Sequence, residues 1–113
     1  MTMRIVHAMF ARHMGGIEFS FLRWTEALRS LGHEVVCVVD SQADVSSHLP
    51  SDTQQISVRQ AFDWDPLAIW QLRRELRCLA PDMMITHGNR AGRLLHRANK
   101  NQTPHLSVLH RPR

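Results

Sequence analysis

Residues 3–39 constrain the chain more than any other stretch. Met3 to Met9 is apolar, Gly15-Gly16 follow, Ile17 to Leu31 has helical periodicity, Gly32 stops it, and Val35 to Val39 is apolar again. Phe21, Trp24, Leu28 and Leu31 continue from Ile17 in steps of four and three, so one helix face is expected to be buried. Glu18 in the first turn and Arg29 in the last complement the helix dipole, and Gly32 suits the position just past the end. An all-apolar strand such as 35–39 is buried on both faces, as in a parallel sheet covered by helices. A glycine loop between a buried strand and a helix start leaves backbone N–H groups open at the positive end of a dipole. Such a unit is expected to hold something phosphorylated.

The rest of the chain repeats the alternation. Ser41 to Gln55 is polar, contains Pro50 and reads as loop; Ile56 and Val58 flank Ser57 in a short strand. Asp65 is expected as N-cap with Pro66 in the first helical position, and Ile69, Leu72, Leu76 and Leu79 as the buried stripe of a second helix. Pro81-Asp82 end that helix, and Met83 to Thr86 make a fourth strand. Asn89 is placed to cap a third helix through Leu94, Leu95 and Ala98, and Leu106 to Leu109 form a fifth strand. The pattern predicts an α/β Rossmann-like parallel sheet of strand order 3-2-1-4-5, with right-handed crossovers and helices on both faces. Its switch point lies between strands one and four, where ligands bind at the carboxyl ends of the strands. The flanking loops hold Arg12 to Gly16 and His87-Gly88-Asn89.

Composition narrows the classes. The 113 residues suit one domain, and 43% hydrophobic with 21% charged is ordinary for a globular chain. The net charge is +4, and all but one of the 14 basic residues are arginine, which suits bidentate phosphate contact. They are scattered, with only Arg73-Arg74 adjacent, so nucleic acid is not the expected partner. The Arg73–Arg77 helix face reads equally as a solvated surface or as a peripheral membrane contact. Cys37 and Cys78 are expected as reduced core thiols. No apolar run approaches a membrane span and no secretory leader is evident, so the cytoplasm is the expected location, at most membrane-peripheral.

At the two loops, Gly15 and Gly16 either let phosphate approach bare backbone or simply form a tight turn. Neither the dinucleotide fingerprint nor a Gly-Lys-Ser/Thr loop is present, and Asp40 without that fingerprint is an ordinary strand-end residue. His87 at the end of a central strand is expected to face the cleft, the alternative being a histidine bonded to its own loop. His110 ends strand five in the same way. His7 is a core position; His33, His48, His96 and His105 are expected at the surface. No histidine has ligand spacing with a carboxylate or cysteine, so no metal is expected.

Gly15-Gly16-Ile17-Glu18 with its helix, then Leu31 to Val35, resemble the opening of family-four glycosyltransferases with the GT-B fold. Leu76 to His87, a leucine-bearing helix end, Pro81-Asp82, an apolar strand and Thr86-His87, resembles a later segment of that family, and Thr103-Pro104 through His110 its next strand. The resemblance implies a retaining, metal-independent transfer from a nucleotide-diphosphate sugar to an acceptor. It implies His87 as a catalytic-site residue reaching sugar or acceptor. Gly15, Gly16, Gly88, Asn89, Arg12 and His110 are the expected substrate-binding positions. GT-B enzymes carry a second, nucleotide-binding domain with paired glutamates, which this sequence lacks. Residues 1–113 are therefore expected to be an incomplete N-terminal, acceptor-side domain, inactive without a C-terminal domain in cis or in trans. The alternative is a non-catalytic Rossmann-like binding module or a subunit of a split transferase. A phospho-receiver is disfavoured because His7, Ala8 and Met9 stand where it needs acids.

Overall fold

A computed structural model describes residues 2–10, 16–41, 47–49, 52–59, 65–100 and 102–108, with Asn89 described by its backbone only. Five strands form one sheet: β1 (Arg4–Met9), β2 (Glu34–Asp40), β3 (Gln54–Val58), β4 (Met83–His87) and β5 (His105–Val108). All neighbouring pairs are parallel and the order is β3-β2-β1-β4-β5, the order the alternation predicts. Helices α1 (Gly16–Ser30), α2 (Pro66–Leu79) and α3 (Asn89–Ala98) supply the β1–β2, β3–β4 and β4–β5 crossovers.

Alternation along the strands divides the core into two layers. Val6, Ala8 and Phe10 of β1 and its extension, with Val38 and Met84, pack against Ala68, Leu72 and Leu76 of α2 and Leu94, Leu95 and Ala98 of α3. The opposite face carries Met9, Val35, Cys37 and Val39 beneath Phe21, Ile17, Leu22 and Leu28 of α1. The sheet is thus covered on both sides, which explains why β1 and β2 are apolar between their ends apart from His7.

Local signals account for most boundaries. Asp65 Oδ1 accepts from the N–H groups of Leu67 and Ala68 at 3.0 and 3.4 Å, and Pro66 opens α2. Ala80 closes it in the left-handed region, its N–H bonded to Leu76 O at 2.9 Å. Gly32 turns the chain after α1 with φ +89°.

Four expectations need correction. Leu31 falls beyond the end of α1 and is 72% exposed, and the buried residues of that helix are Glu18, Phe21 and Thr25. Cys78 is exposed on α2, so only Cys37 is a core thiol. The cap of α3 is Gly88 rather than Asn89, because the helix already begins at residue 89. His105 is half-buried in β5, its Nε2 2.8 Å from Thr86 Oγ1.

Candidate functional site at the carboxyl ends of β1 and β4

The parallel register sets Met9 of β1 opposite His87 of β4. The chain leaves both strands toward the same end of the sheet, and both return through helices that begin at glycine. Gly16 is the first residue of α1; Gly88 precedes α3. The two helix starts touch, because a Cβ on Gly88 would lie 3.1 Å from Cδ1 of Ile17. Their positive dipole ends therefore lie side by side at the switch point.

The two glycines are there for different reasons. Gly88 has φ 87° and ψ 162°, a region essentially confined to glycine, and Ile17 leaves little room for a side chain. Its N–H bonds Val108 O and its carbonyl accepts from Gly92 N, so it stitches β4 to β5 and starts α3. Gly16 does not have a positive φ, and a Cβ there would meet nothing within 4 Å. Neither backbone conformation nor packing among the described residues demands glycine at 16.

His87 ends β4 with its ring turned toward α1. It is 1% exposed. Trp24 lies edge-on to it at 5.3 Å, Phe21 at 5.8 Å and His7 at 4.8 Å between centroids. The ring is covered by α1 rather than open to a cleft. Beneath it, His7 stacks on Phe21 at 4.2 Å. Thr25 Oγ1 donates to Phe21 O at 3.0 Å, so its lone pairs accept from His7 Nδ1 at 2.8 Å. That leaves Nε2 of His7 as a buried acceptor with no hydrogen-bond partner among the described residues. Burial, reinforced by the neighbouring His87, pulls the His7 pKa down to about 3, so the ring is neutral at physiological pH. Burial likewise pushes the Cys37 thiol up to about 11.

Residue counting finds His7 as a core position and His87 as a strand end, yet misses their pairing. The signal is parity: β1 and β4 are in parallel register, so positions 7 and 87 emerge on one face. Glu18, expected as a first-turn charge, lies in the first turn of α1 and is buried at 3% exposure. Arg12, Gly15 and His110 lie outside the described residues, as does the side chain of Asn89. Asn89 contributes its backbone to the first turn of α3. Asp40 ends β2 as a buried residue. Among the described residues no group of three or more histidine, cysteine or carboxylate side chains could hold a metal.

Strand order, glycine-led helix starts and a histidine at the switch point define a Rossmann-like α/β domain. The sequence pattern named Glycosyltransferase Family 4 matches residues 14–113, and the chain belongs to that family. No curated protein matches it significantly. Among solved structures, a glycosyltransferase from Rickettsia africae ESF-5 superposes with a TM-score of 0.73 at 16% identity. The match covers 96% of this chain and 29% of that one, so the chain spans under a third of that neighbour's length. At this identity the likeness concerns the fold.

Proposed function

We propose that this chain forms the N-terminal, acceptor-side part of a transferase that moves a sugar from a nucleotide-diphosphate donor. The observation that carries the reading is Gly16: a glycine at a helix start that neither conformation nor packing among the described residues requires, next to Ile17, whose side chain packs against Gly88 at the start of α3. In transfer, negative charge develops on the departing diphosphate. Backbone N–H groups and dipole ends fixed at that point stabilise it without reorganising. Gly15 and Arg12, just before α1 in sequence, Asn89 at the start of α3 and His110 are proposed as further substrate-binding positions. No metal is needed for this charge stabilisation. A cytoplasmic, nucleotide-sugar-rich setting suits such an enzyme.

His87 is the residue nearest this point with acid–base chemistry. With its ring under Trp24, contact with a sugar requires α1 to shift relative to β4. Until then His87 fixes the approach of α1 to the switch point. A second domain holding the nucleotide, in the same polypeptide or in a partner, completes the site, and the 113 residues alone do not turn over.

The experiment joins this chain to the nucleotide-binding domain of a family relative and follows release of nucleoside diphosphate from a panel of nucleotide sugars. Release is expected from the joined protein and not from the chain by itself. Gly16→Val should cut it by at least about a hundredfold, the scale of losing one preorganised backbone contact to a developing anion. Undiminished release by that variant contradicts the proposal.

A further inference from the structure

His7 is a fully buried polar residue in the middle of β1, on the face that α1 covers. Its ring is held at three points. Phe21 stacks on it at 4.2 Å, Thr25 Oγ1 lies 2.8 Å from Nδ1, and the His87 ring meets it at 4.8 Å with the planes 66° apart. Because the Thr25 hydroxyl donates to Phe21 O, His7 carries its proton on Nδ1. Nε2 is then a lone pair, buried and unpaired among the described residues.

An acceptor left unpaired in the interior costs about 1–3 kcal/mol, and such atoms are few in folded proteins. An apolar ring would fill the same space without that cost. The reason for a histidine lies one ring away. His87 ends β4 two positions beyond Ile85, the residue opposite His7, so both histidines leave the sheet on one face. With the centroids this close, a turn of the His87 ring brings an N–H within hydrogen-bond reach of His7 Nε2, about 3 Å. His7 stays neutral throughout, because burial and the neighbouring His87 hold its pKa at about 3. The other titratable groups on this side of the sheet are Cys37 of β2 and the buried Glu18 of α1. The Cys37 sulfur lies 3.7 Å from Thr25 Oγ1, and burial raises its thiol pKa to about 11, so it remains uncharged. Arg23 and Glu26 of α1 are exposed.

We infer that His7 is a positioning residue for His87: its Nε2 accepts the His87 N–H when His87 is protonated, so that the pair, anchored by Thr25, presents a single imidazolium at the switch point. The pair takes up one proton from solvent rather than two, with the charge on His87. A hydrogen bond to the charged form favours that form. A cation here adds to the positive helix ends at Gly16 and Gly88 and suits an anionic ligand. The inference rests on the proposed function only for the identity of that anion, since the bond between the two rings belongs to the chain itself.

The test is the ring nitrogen-15 spectrum of the histidines in the 113-residue chain, without ligand, followed between about pH 5 and 8. His7 is expected to keep its proton on Nδ1 and a bare Nε2 across this range while the His87 signals titrate. Two substitutions separate positioning from packing. The amide of His7→Gln reaches the place of Nε2 and restores an acceptor there, whereas that of His7→Asn reaches only the place of Nδ1. The His87 midpoint should stay near the parent's in His7→Gln and fall by roughly half a pH unit or more in His7→Asn. Thr25→Val frees the His7 proton to move to Nε2 and should lower the midpoint likewise. Unchanged amide spectra away from the cluster confirm folding. A proton on His7 Nε2 in the parent overturns the inference even if every variant unfolds. So does a His87 ring that does not titrate, a midpoint common to all variants, or equal shifts in His7→Gln and His7→Asn. Failure of the joined protein to release nucleoside diphosphate would overturn the proposed function and leave these outcomes untouched.

Discussion

Gly16 and Gly88 begin the two helices of the switch point, yet a methyl group would affect them oppositely. At Gly88 a side chain meets Ile17 and a backbone region closed to other residues, so Gly88→Ala should cost on the order of 1–3 kcal/mol of stability. At Gly16 the methyl enters open space in a helical residue, so Gly16→Ala should leave stability unchanged or raise it by up to about 1 kcal/mol. Chemical denaturation of the two variants separates these outcomes; equal losses would mean that both glycines serve only the fold. His7 supplies a second residue-scale expectation. Its folded pKa of about 3 lies below the ordinary 6.5, so the unfolded chain binds a proton that the folded chain refuses. His7 therefore penalises the folded state as pH falls from about 6.5 toward 3, by up to about 1.4 kcal/mol per pH unit. The stability advantage of the parent over His7→Leu, read from urea midpoints, should shrink through that window. A gap independent of pH would contradict the neutral, buried ring.

Helix ends are where the sequence reads best. Asp65 and Pro66 announce α2 through a mechanism confined to neighbouring residues, and the capping bonds form as expected. Asp65→Ala should destabilise by about 1 kcal/mol, visible as a lower denaturant midpoint with unchanged slope. No loss would assign the start of α2 to packing alone. The buried stripe of α1 reads less well. Counting apolar residues selects Leu31, but the helix ends at Ser30, and the stripe includes Thr25 because His7 across the sheet needs its hydroxyl. Such a polar partnership is invisible until β1 and α1 are packed together. The burial of His87 is hidden for the same reason: the strand end is legible, whereas Trp24 folding over it depends on how α1 crosses the sheet.

At the scale of the molecule, alternation of strand and helix was enough to give the order β3-β2-β1-β4-β5 and to locate the switch point. Right-handed crossovers leave few other ways to bury apolar strands on both faces. What alternation could not supply is which surfaces remain for partners, because that depends on the faces helices turn outward. Two such regions emerge. One is the pair of glycine-led helix starts, the other the outer face of α2, where Leu67 and Trp70 are exposed.

The central claim is that the first of these receives a diphosphate. The most direct measurement is a nitrogen-15 amide spectrum of the chain titrated with inorganic pyrophosphate and with nucleotide-diphosphate sugars. The account predicts shifts concentrated at Gly16, Ile17, Gly88 and Asn89 and weakened in Gly16→Val. Shifts confined to residues outside these helix starts, or no shifts with any of these ligands, would contradict it.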